Sequence, residues 1–151
     1  MKRIILLFVL LLGLGPAMAQ NTRNDNADNI IGVYKAKQGD NSYKIKIVKL
    51  TNGTYRGQMI WMEKDRDAKG NKLLDTKNPN KELRTTPYDR VVLFTGLKYN
   101  AKKHCWDDTK IYDPQRGMRA NLHIEFTGDG RLRVKGSLIG ISESVYWTKV
   151  E

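Results

Sequence analysis

The sequence predicts an all-β fold, an antiparallel up-and-down barrel of about eight strands, from three observations. From Ile30 onward, short segments rich in β-branched and aromatic residues alternate apolar and polar side chains with period two. Turn signals stand between them: Gly39-Asp40-Asn41, Asn52-Gly53 and Thr127-Gly128-Asp129-Gly130. Each strand has one apolar and one wet face, the pattern of antiparallel sheet, and no long helical period interrupts them. Closing consecutive hairpins into a barrel removes the exposed sheet edges. A two-sheet sandwich is the alternative.

The chain opens with a signal-peptide pattern over residues 1–19. Lys2 and Arg3 supply the positive start, and Ile4 to Leu12 is an unbroken apolar run. Gly13, Gly15 and Pro16 break it before Ala17-Met18-Ala19, a small-x-small cleavage site. The apolar run is too short for a permanent membrane span. The expectation is an exported protein, which in a bacterium means periplasmic or envelope-associated, with no transmembrane segment after cleavage. Residues 20–30 are polar and rich in Asn and Asp, and read as a flexible leader.

Residues 31–151 then read as one β-barrel domain, with strands near 31–37, 43–50, 54–62, 90–99, 104–112, 118–126, 131–138 and 143–149. The clearest is 118–126. Met118, Ala120, Leu122, Ile124 and Phe126 share one face, while Arg119, Asn121, His123 and Glu125 share the other. Leu132, Val134, Gly136 and Leu138 repeat the pattern in 131–138. Between strands 3 and 4, residues 63–89 form one long polar loop, a length that is uncommon in a small β domain and often functional. A short helical turn over 79–84 is expected in it, with Asn78 as cap and Pro79 at the first position.

Composition fits one soluble domain: 151 residues, 40% hydrophobic and 28% charged. With 27 Lys and Arg against 16 Asp and Glu, the net charge is +11, of which Lys2 and Arg3 would leave with a signal peptide. The single cysteine, Cys105, excludes an intramolecular disulfide framework and a cysteine-only zinc site.

Several phrases occur in a fixed order: Ile31-Gly32-Val33-Tyr34, Gly57-Gln58-Met59-Ile60-Trp61, Asp75 with Asn78-Pro79, and Leu83-Arg84-Thr85-Thr86-Pro87. They continue with Gly96-Leu97, Trp106, Ile111-Tyr112-Asp113-Pro114 with Gly117, Val134-Lys135-Gly136, Gly140 and Trp147-Thr148. This set resembles the DUF2147 family of small exported bacterial proteins, over nearly all of the chain from Ile30. The resemblance implies a lipocalin-like or calycin-like barrel and no particular chemistry. Tyr34 stands where family members usually carry Trp, and Ile141 to Tyr146 replace a Gly-Arg-Thr-like stretch.

The residues that could bind a ligand are few. Asp75, Asn78, Arg84, Tyr112 and Asp113 surround the Asn-Pro and Asp-Pro steps, which favour defined turns. Arg84 is placed to pin Asp75 or Asp113 and lock the loop to the barrel. The same residues could instead line a barrel mouth and orient a polar head group. Trp61, Trp106 and Trp147 are either core or the walls of an aromatic cavity.

Other chemistry finds little support. Asp65-x-Asp67-x-Lys69-Gly70 echoes a calcium loop, but Lys69 and Thr76 fall at two ligand positions. In His104-Cys105-Trp106-Asp107-Asp108, neighbours on opposite faces cannot chelate one ion, and His123 joins only if the fold brings it near. No cofactor or metal is expected, and no nucleophile elbow or protease signature occurs. Nucleic-acid binding is disfavoured for an exported chain without a basic-aromatic motif. The leading reading is a non-enzymatic barrel that binds a small apolar or amphipathic ligand at one end. The alternatives are an envelope protein whose basic surface meets anionic lipid or glycan, and a hydrolase using loop carboxylates such as Asp75 and Asp113.

Overall fold

The computed structural model describes residues 21–151. The signal-peptide pattern at 1–19 lies outside the described residues. Eight strands form one closed antiparallel barrel in chain order. They are β1 (Gly32–Gln38), β2 (Asn41–Lys49), β3 (Tyr55–Met62), β4 (Val92–Asn100), β5 (Cys105–Asp113), β6 (Met118–Phe126), β7 (Leu132–Leu138) and β8 (Ile141–Lys149). The barrel therefore displaces the sandwich. A short seam closes it, with Tyr34 opposite Lys149 and Lys35 opposite Thr148. Among the described residues, no helix is long and apolar enough to cross a membrane.

The alternating apolar face becomes the barrel interior. Ile45, Ile47, Leu97, Ile124, Leu132 and Val134 are fully buried in one cluster. Each such side chain contributes roughly 1.5–3 kcal/mol by leaving water. Gly57 lets β3 approach β4 closely, because a Cβ there would lie 2.4 Å from the Phe94 ring.

The segment expected as a flexible leader is instead folded. Thr22–Asn24 and Ala27–Ile30 form two 3-10 turns, capped by Asn21 and Asn26. Their Asn and Asp residues, which made the segment look solvated, bond to the barrel. The Asn21 and Asn24 side-chain amides donate to Phe126 O, and Phe126 N–H donates to Asn24 Oδ1. Tyr99 donates to Asn24 O, Trp106 Nε1 to Ala27 O, and Tyr34 to Ile30 O. Tyr55 donates to Asp28 Oδ1 at 2.6 Å. Under this plug, Trp106 packs between Tyr99, tilted against it, and Phe126, edge to face, with centroids 5.2 and 5.9 Å away.

Two bulges reverse the expected faces of two site residues. Lys44 pairs with Trp61 but Ile45 pairs with Met59, so Ile60 is an extra residue in β3. Met62 is thereby buried, and Trp61 is 39% exposed outside the barrel, near Lys44. In β5, Trp106 pairs with Ile124 and Thr109 with Leu122, so two residues, Asp107 and Asp108, face one, His123. Beyond this bulge, Tyr112 has the opposite phase to Trp106 and pairs with Arg119, whose guanidinium lies 5.3 Å from its ring centroid.

The long loop folds back on itself through Arg66–Lys72 and Leu74–Pro87 bridges. Its helical turn is a 3-10 turn at Lys81–Leu83 capped by Asn80, shorter and later than the sequence suggests. Asn78 spends its Oδ1 on Asn80 N–H.

Candidate functional site

The connections β1–β2, β3–β4, β5–β6 and β7–β8 lie at the end of the barrel opposite the plug. There the interior widens into a cavity of about 340 Å³. Met59, Met62, Leu93, Ile111, Val134 and Trp147 are among its apolar walls. That volume is at the small end of the roughly 300–1,000 Å³ range of small-molecule pockets. Gly136 on β7, opposite Leu122, and its diagonal neighbour Ala120 on β6 are small residues in the cavity wall. Met118, Leu138, Ile141 and Val145 continue the apolar lining outward and are exposed, as is Ile139 at the β7–β8 tip, 93% accessible.

Polar groups are confined to part of this surface. Arg116 makes a two-point ion pair with Glu143 at 2.8 and 3.3 Å, and lies 3.6 Å from Asp113. Asp113 Oδ1 also accepts the Gln115 and Arg116 N–H groups, fixing the turn at the rim. Tyr43 lines the wall, and its hydroxyl pKa is raised, first by burial and then by the Asp113 charge. The indole N–H of Trp147 stands near enough to Tyr43 to oppose that shift slightly, but the pair falls outside hydrogen-bond geometry. Trp147 Nε1 is thus a buried donor with no acceptor among the described residues. Buried donors are normally paired, so this is a place where a ligand's acceptor atom would be favoured.

The eight candidate residues divide into separate groups. Trp147 and Asp113 line the cavity, and Tyr112 reaches its edge. Trp106 is fully buried under the plug, and Trp61 lies outside. Asp75 and Asn78 are buried in a latch between loop and barrel. Tyr112 donates to Asp75 Oδ1 and Asn78 Nδ2 to Asp75 Oδ2, both at 2.7 Å. Burial, and then the bond to Asp75, hold the Tyr112 hydroxyl pKa well above its ordinary value. Arg84 does not pin a carboxylate; its Nε donates to the Asn78 carbonyl at 2.8 Å. The loop carboxylates therefore have structural partners. Tyr43, Met59 and Met62 were missed as cavity residues; the inner-face alternation of β2 and β3 marks Tyr43 and Met59, whereas Met62 enters through the bulge.

The calcium-like stretch is an ordinary turn. Asp67 accepts the Lys69 and Asn71 N–H groups, and Asp65 pairs with Lys72 at 2.6 Å.

Comparison with known proteins agrees with the architecture. The profile of the DUF2147 family, described as "Uncharacterized protein conserved in bacteria", matches residues 32–149. A solved structure described as "Protein HP1028 from the human pathogen Helicobacter pylori belongs to the lipocalin family" superposes with a TM-score of 0.63 at 21% identity. The match covers 80% of this chain and 82% of that one, and it shows a shared lipocalin-like fold. No curated protein matches the chain.

Proposed function

We propose, of a chain that belongs to the DUF2147 family, that it is an exported, non-enzymatic carrier or sensor of a small apolar or amphipathic ligand held in the open end of its barrel. One observation carries this reading: the interior is packed at the plugged end and hollow at the other, with an apolar lining that runs out to the rim. The lipocalin-like fold is consistent with it. The apolar part of the ligand occupies the walls around Met59, Ile111 and Val134. Its polar part meets Trp147 Nε1 within, or the Arg116–Glu143–Asp113 group at the rim. Export to the bacterial envelope rests on the pattern at 1–19.

Native mass spectrometry of protein purified gently from its own envelope tests this. A bound small molecule that is lost on unfolding is expected. Gly136→Leu places a side chain in the cavity at a position without a positive φ, and should abolish that adduct while the barrel stays folded. A folded protein that carries no adduct and takes up no apolar fluorophore would overturn the proposal. A hydrolase reading is disfavoured, because both Asp75 oxygens are already bonded within the latch.

A further inference from the structure

The β5–β6 pair brings together residues that the sequence keeps apart. Trp106 and Ile124 are partners facing inward, so their neighbours Cys105, Asp107, His123 and Glu125 lie on the outer side of the same two strands. One donor atom each from Cys105, Asp107 and His123 lies within 4.8 Å of the others. Among the described residues, no other trio of His, Cys, Asp or Glu comes as close. The spacing suits a small cation. Bonds of about 2.3 Å to sulfur and 2.0–2.2 Å to oxygen at a tetrahedral angle put S and O roughly 3.5 Å apart. Cys105 Sγ and Asp107 Oδ2 are 3.7 Å apart.

The backbone around the trio is unusual. His104, just before β5, and Asp108, within it, both have positive φ, 52° and 67°, which non-glycine residues rarely adopt. Asp108 belongs to the bulge, and bulges re-aim side chains. Beside the trio, Glu125 is ion-paired with Arg133, and its Oε2 lies 3.6 Å from His123 Nε2. It adds negative charge without being a free ligand. A role as a reactive thiol is disfavoured, because burial and Asp107 push the Cys105 pKa up to about 11.

We propose that Cys105, Asp107 and His123 form a site for a borderline-soft divalent cation, best matched by zinc, on the outer wall of the barrel beside the plug. Sulfur, nitrogen and oxygen in one tetrahedral set select zinc over the hard cations that prefer oxygen alone. Binding forms a metal–sulfur bond and releases the thiol proton to solvent. Two cations stand near the trio, Lys103 and Arg133, of which Arg133 is neutralised by Glu125.

Cobalt(II), a spectroscopic substitute for zinc, tests the site in the untagged full chain. One equivalent should give a thiolate-to-metal charge-transfer band, which zinc then displaces. Cys105→Ser should remove the band. Because that residue is buried, Asp107→Asn and His123→Gln are the independent checks. Each should weaken zinc binding roughly tenfold or more, beyond the least effect of disturbing a metal site's surroundings, with circular dichroism unchanged. Absence of a saturable band in folded protein, or unchanged affinity in both surface variants, would overturn the proposal.

Discussion

At one end of the barrel, Asn21–Ile30 covers the opening, and the Trp106, Tyr34 and Tyr99 donors all find backbone acceptors in it. At the other, Met118, Leu138 and Ile141 surround a hollow, and the indole of Trp147 has no acceptor among the described residues. Both ends are built from the same alternation of apolar residues. The difference lies in what meets the inner face: a segment of the chain in one case, and open space in the other. A buried tryptophan is therefore a structural anchor when the protein supplies its acceptor, and a candidate ligand contact when it does not.

The contrast can be broken first at its strongest point. Trp106→Ala should cost about 3–5 kcal/mol, as for large buried aromatics, and lower the melting temperature markedly. Met118→Ala at the exposed rim should stay within about 0.5 kcal/mol. Denaturant titration of both variants reads the gap directly.

Two glycines sharpen the comparison. Gly57→Ala drives a methyl group into the Phe94 ring and should destabilise by about 1–3 kcal/mol. At Gly136 the same methyl meets only ordinary contacts, 3.4 Å from the Ala120 Cβ and 3.6 Å from the Ile111 Cγ2. Gly136→Ala should be close to neutral in the same titration. Equal losses would mean that the open end is as tightly packed as the closed one.

Asn24→Ala removes a two-way bond to the backbone of Phe126 and should cost about 1–2 kcal/mol. Hydrogen exchange at the Phe126 amide should accelerate more than at Ala120, toward the open end of the same strand.

Acid should act on the plugged end with the smallest effect. The hydrogen bond from Tyr55, and then that from Lys49, hold the Asp28 pKa below its ordinary 3.8. A depressed carboxylate contributes stability above its unfolded pKa and loses it as pH falls through the folded value. Melting temperatures followed from about pH 5 down to about pH 2 should therefore fall less steeply in Asp28→Asn than in the parent.

Much of the barrel was legible because alternation and turn chemistry are local. Met118 to Phe126 and the Thr127–Gly130 turn have no competing reading. Site residues were harder, because face assignment accumulates along a strand and one extra residue inverts it. Ile60 moves Trp61 outside, and the Asp107–Asp108 bulge turns Tyr112 away from the phase of Trp106. Neither bulge has a glycine or proline to announce it. The plug was misread for another reason: Asn21, Asn24 and Asp28 look solvated in sequence, whereas their partners on the barrel lie from 21 to 105 residues away.

The seam between β1 and β8 sets an order in time. Tyr34 and Lys149 are joined across nearly the whole described chain, a closure that costs about 4 kcal/mol of loop entropy before it returns any contact. The hairpins can form early from neighbouring residues, but the strand made first must wait for the strand made last. Until then the sheet is an open ribbon with two free edges and no interior. The cavity thus comes into being in a single late step, and a chain that has not finished arriving has nowhere to hold a guest.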